Sequence, residues 1–251
     1  SGLAGPAGAD DRHHLSGPNH QIHPLEYGLV AVAEADVLEA DLAREKRALA
    51  EYLRPDGRLV INGDDTHTQR IHQDFKEVAL SYGFGGHNDF DADGAGIFYE
   101  SKRPVGMMFE AKRSHIFVVP VKLYGALGRP RVYSALAAMA VGEVVGVGMV
   151  EAAQKLALWE PPAGRLRLIQ GITESLIIDD TYNSSPSATI AALETLKEIR
   201  GFKNKIAVLG DMLELGRFSK EAHTKVGERA AKSSSMLVTV GIRARAIAEA
   251  A

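Results

Sequence analysis

The sequence predicts a protein of the α/β class, with a mixed sheet covered by helices and a second α/β unit after it. Strand-forming and helix-forming stretches alternate over residues 34–82, and residues 83–127 combine glycines with three strand-like stretches that predict an antiparallel meander. Residues 174–250 then alternate strand and helix three times, a succession that calls for a parallel sheet with right-handed crossovers. With 251 residues, 45% of them hydrophobic, the chain can bury a sizeable core.

The first elements follow from local composition. Residues 1–24 combine glycine and proline with four of the nine histidines, which predicts a loop or linker rather than a metal site. Residues 34–53 are mainly helix formers, and Pro55, Asp56 and Gly57 predict a turn before a short buried strand. In order, the predicted elements are helix 34–53, strand 58–62, helix 66–74, strand 78–82, strands 96–100, 106–110 and 115–123, and helices 131–145 and 149–157.

A proline- and glycine-rich interruption at residues 160–164 predicts a domain boundary. We therefore divide the chain into an irregular segment (1–24), a first domain (25–160) and a second domain (161–251). The predicted elements of the second domain are strand 174–179, helix 187–200, strand 205–209, helix 219–232, strand 236–240 and helix 243–250.

Composition excludes several classes of protein. The absence of cysteine excludes a disulfide scaffold, a thiolate nucleophile and a cysteine-based zinc site. A net charge of −3 gives no support for binding to nucleic acid. The longest apolar runs, such as residues 116–121, are too short to span a membrane, and residues 1–24 lack the order of a signal peptide. We therefore expect a soluble, cytoplasmic monomer that neither binds nucleic acid nor inserts into a membrane.

The strongest candidate for a binding site follows the first strand after the boundary. That strand delivers Asp179, Asp180, Tyr182 and Asn183 to its carboxyl end, which is where open α/β sheets bind ligands. An aspartate there suits sugar hydroxyls or a metal ion, whereas a tyrosine or an asparagine suits a planar base. The alternative is that Asp179 or Ser185 merely caps the next helix, but a cap does not account for the whole run.

Three other features are weaker. Arg165 and Arg167 lie two residues apart beside a strand-like stretch, where a pair of guanidinium groups suits either phosphate or carboxylate recognition, or ordinary surface charge. Gly210 and Asp211 end a second predicted strand, and this pattern fits a binding site and the ordinary end of a strand equally well. His223 lies on the following helix, where a single histidine is more often structural than catalytic.

Several stretches of the chain occur in the same order in one known family. They are residues 43–46, 59–65, 82–84, 128–138 and 161–165, the run Asp-Asp-Thr-Tyr-Asn-x-x-Pro at 179–186, and the run Leu-Gly-Asp-Met-Leu-Glu-Leu-Gly at 209–216 with Ser219, His223 and Gly227. Over residues 42–251 the chain is similar to the Mur ligases, and the last two motifs indicate the branch whose amine substrate is D-alanyl-D-alanine.

The resemblance implies a fold and an activity. The fold is a Mur ligase-like central, ATP-binding domain with a mixed sheet and helices, followed by a truncated Rossmann-like C-terminal domain. The activity is an ATP-dependent ligation, in which a substrate carboxylate is phosphorylated and an amine attacks the acyl phosphate. A UDP-N-acetylmuramoyl-peptide is the implied acid, D-Ala-D-Ala the implied amine, and Mg²⁺ the ion that neutralises phosphate charge.

The resemblance also implies roles for individual residues. Lys46 matches the lysine that the family carbamylates, and the carbamate is an anionic oxygen ligand suited to Mg²⁺; we therefore predict Lys46 as a catalytic and metal-binding residue. Glu26 resembles the Mg²⁺-binding glutamate of the family.

A second group of residues is implied in nucleotide binding. Arg165 and Asp180 match residues that contact the nucleotide, Asp180 at the ribose, and Tyr182 and Asn183 would line the same pocket. Ser134, in the motif at 128–138, is a further nucleotide-binding candidate.

The sequence also departs from the family. No Gly-x-x-x-x-Gly-Lys-[Ser/Thr] phosphate loop occurs in it, and Pro130, Arg131 and Ser134 stand where the family often has histidine and asparagine. We therefore expect a fragment, cut at both ends, that cannot hydrolyse ATP alone. The alternatives are another Mur-type amide ligase and a nonenzymatic binding remnant. A dinucleotide dehydrogenase is excluded because the glycine-rich fingerprint is missing.

Overall fold

The computed structural model describes residues 29–32 and 47–251 of the chain. Its largest element is a six-stranded mixed sheet in the order β1-β2-β3-β4-β5-β6. The first four strands pair in parallel and the last three pair antiparallel, so the predicted antiparallel meander is confirmed. The strands are β1 (Leu29–Val32), β2 (Arg58–Asn62), β3 (Ala79–Gly83), β4 (Phe90–Glu100), β5 (Arg103–Arg113) and β6 (Phe117–Tyr124).

Strand β2 is buried on both faces. Leu59 and Ile61 lie in one core with Ile71 of helix α1 (Thr66–Asp74), whereas Val60 lies in a second core on the opposite face. This alternation follows from the two-residue period of a strand. Helix α1 begins where the sequence predicts, because the Asp65 carboxylate accepts hydrogen bonds from the first free N–H groups of the helix.

Helices α2 (Arg129–Val144) and α3 (Met149–Ala157) cover the second core. Helix α2 packs on β2, β3 and β4, and α3 packs on β6. The fully buried members of this core are Val60, Phe90, Ala111, Leu127, Val132, Leu136 and Ala140.

The Asp64 carboxylate, just after β2, connects the end of β2 to the loop that follows β3 and to helix α2. Asp64 accepts hydrogen bonds from the backbone N–H of Phe84 (2.6 Å) and Gly85 (3.0 Å), from Tyr133 Oη on α2 (2.8 Å) and from Asn88 Nδ2 (3.2 Å). Burial raises the pKa of Asp64, but these four donors outweigh it, so the pKa lies below its usual value. The ionised carboxylate therefore fixes α2 against the loop that follows β3.

The next two strands differ from the sequence prediction. Strands β7 (Arg167–Gln170) and β8 (Leu176–Asp179) form an antiparallel pair, so β8 does not join the later strands in one parallel sheet. The reason is a competing packing surface: Leu168 and Ile178 pack against the second, larger core, which α2 and α3 cover.

The β7–β8 pair is also tied to the large sheet by hydrogen bonds. The N–H of Leu127 donates to the carbonyl of Leu166 (3.1 Å), and the N–H of Leu168 donates to the carbonyl of Gly125 (2.8 Å). Arg103 at the start of β5 donates to Gln170 Oε1 (2.6 Å). The boundary predicted at residues 160–164 stays a prediction, because β7 and β8 follow it in the sequence but pack against residues that precede it.

The remaining residues form a smaller parallel unit. Strands β9 (Ile206–Gly210) and β10 (Met236–Val240) pair in parallel, as predicted, with helices α4 (Pro186–Glu198), α5 (Ser219–Ser233) and α6 (Arg245–Ala250) beside them. The buried residues between the helices and this sheet are Leu193, Ala207, Met212, Ala222, Val226, Ala230, Ala244 and Ile247. The side chains on the opposite face of the β9–β10 sheet are 43–65% exposed. They are Ile206, Val208, Met236, Val238 and Val240.

Among the described residues, no helix combines the length and the apolarity needed to cross a membrane.

Candidate functional site

The predicted binding residues after β8 lie against the N-terminus of α2. Gly128, the residue before this helix, has a φ of 89°, and a Cβ built there would lie 2.8 Å from Thr195 Oγ1 and 3.1 Å from Leu166 Cδ1. Glycine is therefore needed at position 128, both for its backbone conformation and for the close approach of α4 and Leu166.

The two adjacent aspartates fix the segment before β7. Asp179 Oδ2 accepts a hydrogen bond from the N–H of Gly164 (2.8 Å), and its Oδ1 accepts one from Thr181 Oγ1 (2.7 Å). Asp180 Oδ1 accepts one from the N–H of Leu166 (3.0 Å). Both carboxylates therefore hold residues 164–166 against the end of β8. The capping alternative is partly right, because the Ser185 side chain, and not Asp179, caps α4.

The surroundings shift the two carboxyl groups in opposite directions. Hydrogen bonds from the Thr181 hydroxyl and the N–H of Gly164 hold the pKa of Asp179 below its usual value. Burial raises the pKa of Asp180, and this outweighs the opposing effects of the Leu166 N–H and of the charges of Arg131 and Arg165. Asp180 is thus a partly buried acceptor beside two cations.

Arg165 and Tyr182 form the open side of this arrangement. The guanidinium carbon of Arg165 lies 4.1 Å from the centroid of the Tyr182 ring, which is 70% exposed. Gly164 has a φ of 71°, and its Cα lies so close to Tyr182 that an added Cβ would be 2.7 Å from the tyrosine N. The site therefore combines an exposed aromatic ring and a cation, and that cation acts electrostatically on the Asp180 carboxylate.

Two other predicted nucleotide contacts are engaged locally. Asn183 is exposed, and its Oδ1 accepts a hydrogen bond from the N–H of Ser184 (2.8 Å). Ser134 is exposed on α2, and its Oγ donates to the carbonyl of Pro130 (3.0 Å). The structure brings Arg165, Asp180 and Tyr182 together, whereas the hydrogen bonds that Asn183 and Ser134 make within the described residues go to neighbours in their own segments.

One residue that sequence reasoning did not propose also lies at this site. The Nε of Arg131, on the first turn of α2, is buried and has no hydrogen-bond partner within the described ranges. The guanidinium interacts electrostatically with both Asp180 and Arg165. The signal in the sequence was the departure at position 131 from the asparagine-containing pattern of the family.

The predicted metal site cannot be placed. Glu26 and Lys46, together with the histidines of residues 1–24, lie outside the described residues. Within residues 47–251 no group of three or more histidine, aspartate or glutamate side chains could hold a metal ion.

The polar residues that follow β9, which the sequence offered as a weaker candidate site, have a structural role. Asp211 Oδ1 accepts a hydrogen bond from the N–H of Ala244 (2.6 Å), which ties the end of β9 to the start of α6. His223 is fully buried, its Nε2 accepts a hydrogen bond from the N–H of Met212 (3.0 Å), and its Nδ1 lies 2.7 Å from the carbonyl of Ser219. The structural interpretation of His223 is confirmed.

Comparison with known proteins gives the same family as the motifs. The UDP-N-acetylmuramoyl-tripeptide–D-alanyl-D-alanine ligase of Bacillus subtilis is 31% identical over 234 residues, which are 83% of this chain and 48% of that protein. The ligase of the same name from Escherichia coli is 37% identical over 125 residues, covering 49% of this chain and 27% of that protein. The chain therefore spans about half the length, or less, of these curated relatives.

Solved structures share the fold. MurF from Acinetobacter baumannii superposes with a TM-score of 0.73 at 28% identity, over 84% of this chain and 44% of that one. MurF ligase from Thermotoga maritima, solved in complex with ADP, gives a TM-score of 0.72 at 24% identity, over 88% of this chain and 50% of that one. Residues 164–251 match the family described as Mur ligase, glutamate ligase domain. Residues 164–251 therefore carry the glutamate ligase domain of the Mur ligases, and 83% of the chain is similar to a curated Mur ligase.

Proposed function

We propose that this chain forms the nucleotide-binding part of an ATP-dependent ligase that joins D-alanyl-D-alanine to a UDP-N-acetylmuramoyl-tripeptide. The observation that carries the proposal is the meeting of Asp180, Arg165 and Tyr182 at the N-terminus of α2. It is supported by the 31% identity to a ligase of that name, which extends over 83% of the chain.

The chemistry of these side chains fits a nucleotide. The Asp180 carboxylate uses one oxygen for the Leu166 N–H and can accept a hydrogen bond from a ribose hydroxyl with the other. The exposed ring of Tyr182 offers a stacking surface for a base, and the Arg165 guanidinium suits a phosphate group. These residues would bind and orient ATP, whose γ-phosphoryl group activates the substrate carboxylate as an acyl phosphate.

The metal and the cellular setting belong to the same proposal. Mg²⁺ would neutralise phosphate charge, with Glu26 and carbamylated Lys46 as its proposed protein ligands. We propose a cytoplasmic monomer, because both the nucleotide and the nucleotide-linked peptide are soluble substrates.

Nucleotide binding by the 251-residue chain is the first test. We expect ADP to bind, as measured by calorimetry, and Asp180→Asn to weaken it, because an amide presents one acceptor where the carboxylate presents two. We expect no ATP-dependent phosphate release, because the sequence contains no phosphate loop. Phosphate release by the chain alone would contradict that part of the proposal.

Ligation needs a second test. We would replace the matched region of the Bacillus subtilis ligase with residues 47–251 of this chain and supply ATP, Mg²⁺ and UDP-N-acetylmuramoyl-tripeptide. Mass spectrometry would follow product formation from D-Ala-D-Ala, with L-Lys and D-Glu as matched amine controls. Product from D-Ala-D-Ala alone supports the proposal. Product from a different amine would support another Mur-type ligase, and nucleotide binding without any product would support a binding protein.

A further inference from the structure

A cavity of about 320 Å³ lies at the carboxyl ends of β9 and β10, between the start of α5 and the residues that follow β10. Ser219 and Lys220 of α5 line one side of it, and Ile242 and Arg243 line the other. Its lining shares no residue with the nucleotide site described above. Because β9 and β10 are parallel, their carboxyl ends form the edge at which open α/β sheets bind ligands. The cavity is large enough for a small ligand, since such pockets start at about 300 Å³.

The lining of this cavity has an excess of positive charge. Lys220 and Arg243 are exposed, and neither side chain forms an ion pair or a hydrogen bond with any described residue. Arg245 donates from Nε to Glu249 Oε1 at 3.0 Å, and Glu249 is the one carboxylate among the lining residues. Three cations therefore accompany one carboxylate, an arrangement that favours an anionic ligand.

The unpaired Lys220 differs from its neighbours on the same helix. The next two lysine or arginine side chains of α5 are each paired with a carboxylate, Lys225 with Glu221 at 2.8 Å and Arg229 with Glu194 at 2.6 Å. The charge of Lys220 is thus available to a ligand. Lys225, which does not line the cavity, provides a matched lysine for experiment.

Ser219 adds a hydroxyl group at the same end of α5. Nε2 of the buried His223 accepts the N–H of Met212 at 3.0 Å, so the ring hydrogen lies on Nδ1, which donates to the Ser219 carbonyl at 2.7 Å. The Ser219 Oγ lies 3.5 Å from Nδ1, a longer contact, so the hydroxyl can donate to a ligand instead. The N-cap residue Phe218 makes no side-chain hydrogen bond to the helix, and the positive end of the dipole of this 15-residue helix lies here as well.

Part of the lining is apolar. Ile242, which is 91% exposed, and Ala246 lie on the same cavity as the cations. A short apolar peptide matches both parts of the lining, because its carboxylate suits the cations and the Ser219 hydroxyl, and its small side chains suit Ile242 and Ala246. An isolated phosphate group would suit the cations but would leave the apolar side chains uncovered.

We propose that this cavity binds the carboxylate of a short apolar peptide, with Lys220 and Arg243 as its cationic partners. The inference rests on the proposed function, in which D-alanyl-D-alanine is the amine, and it adds the residues that hold the carboxylate of that dipeptide.

The test is a titration of the 251-residue chain with D-Ala-D-Ala, followed by two-dimensional NMR. We expect the amide signals of residues 219–222 and 242–246 to shift and the shifts to saturate. D-Ala-D-Ala amide, which lacks the carboxylate, should leave these signals unchanged. Inorganic phosphate should bind more weakly than the dipeptide, because it covers none of the apolar lining.

Two substitutions test the cationic partners. Lys220→Met and Arg243→Met should each weaken dipeptide binding about tenfold, from the loss of one hydrogen bond to a charged group. Lys225→Met is the matched control and should bind the dipeptide like the parent. All three side chains are exposed, so the unfolding temperature should stay at the parent value. In the hybrid ligase, Arg243→Met should raise the KM for D-Ala-D-Ala and leave the KM for ATP unchanged.

The outcomes separate this inference from the proposed function. Dipeptide shifts that are absent from residues 219–222 and 242–246 overturn it, as do equal shifts with the dipeptide amide. Tighter binding of phosphate than of the dipeptide assigns the cavity to phosphate and also overturns it. If ADP binds to the chain and the dipeptide does not, only this inference fails. If the dipeptide binds at these residues and ADP does not bind, the proposed nucleotide site fails and the carboxylate site stands.

Discussion

Replacement of Asp64 by asparagine should destabilise the fold strongly, although this residue lies near the surface. The Asp64 carboxylate accepts four hydrogen bonds, from two backbone N–H groups of the loop after β3, from Asn88 and from the Tyr133 hydroxyl on α2. An asparagine has the same shape, but its NH₂ group would face two of these donors. Two hydrogen bonds to a charged acceptor are lost in either orientation of the amide, and one backbone N–H group, that of Phe84 or that of Gly85, then faces the NH₂ group.

The size of the effect follows from that count. A hydrogen bond to a charged group contributes about 1.5 kcal/mol or more, so Asp64→Asn should lower the free energy of unfolding by about 3 kcal/mol. For a chain of this size that corresponds to a fall of about 6–12 °C in the unfolding temperature. The control is Asp56→Asn, which removes an exposed carboxylate 3.2 Å from Arg54. It should change the free energy of unfolding by less than about 0.5 kcal/mol.

Guanidinium unfolding followed by far-ultraviolet circular dichroism, repeated across pH, measures both quantities. Because the folded-state pKa of Asp64 is lowered, its stabilisation is complete above the unfolded-state pKa and is lost as the pH falls through the folded-state pKa. The difference between the parent and Asp64→Asn should therefore be constant near pH 7 and shrink below about pH 4. An Asp64→Asn protein as stable as the parent, or a difference that does not shrink in acid, would refute this reasoning.

Three further substitutions test the candidate site and the packing of the smaller parallel unit. Gly164→Ala forces a φ of 71° on alanine and places its Cβ 2.7 Å from the Tyr182 N, so both thermal stability and ADP affinity should fall; unchanged values for both would be contrary to this. Tyr182→Ala should change the unfolding temperature little, because the ring is 70% exposed, but should weaken ADP binding about tenfold through lost stacking; full affinity in calorimetry would exclude the stacking role. His223→Ala should cost about 3 kcal/mol in chemical denaturation, because it leaves a cavity and a buried Met212 N–H without an acceptor; a loss below about 1 kcal/mol would contradict the structural role of the imidazole.

Elements with strong local signals could be predicted from the sequence to the residue. Helix α1 has Asp65 as its N-cap, and the predicted bounds of α1, α3 and β10 agree with the structure. The start of β4 could not be predicted in this way. Gly94 and Gly96 look like breaks in the sequence, but β4 continues through them with a register shift between Asp93 and Gly96 and a φ of 59° at Gly94. A bulge depends on the partner strand, which local composition does not specify.

Long-range pairing limited the rest of the prediction. Leu168 and Ile178 read as ordinary strand residues, and their contact with the larger core becomes apparent only when β7 and β8 are placed on it. At the site, the rule that ligands bind at the carboxyl ends of parallel strands led to Asp180 and Tyr182 as candidates, although β8 lies in an antiparallel pair and not in the parallel sheet that the rule assumes. It could not single out Arg131, because the burial of its Nε depends on how α2 packs in the folded chain.

The hydrogen bonds between residues 125–127 and 166–168 have a consequence for proteolysis. The connection between α3 and β7 contains the exposed residues Leu158, Glu160 and Pro162, where a protease can reach the backbone. A cut there would not separate the chain into two pieces, because the C-terminal product would still contribute β7 and β8 to the larger core. The nicked protein should elute as one particle in native gel filtration and come apart only in denaturant.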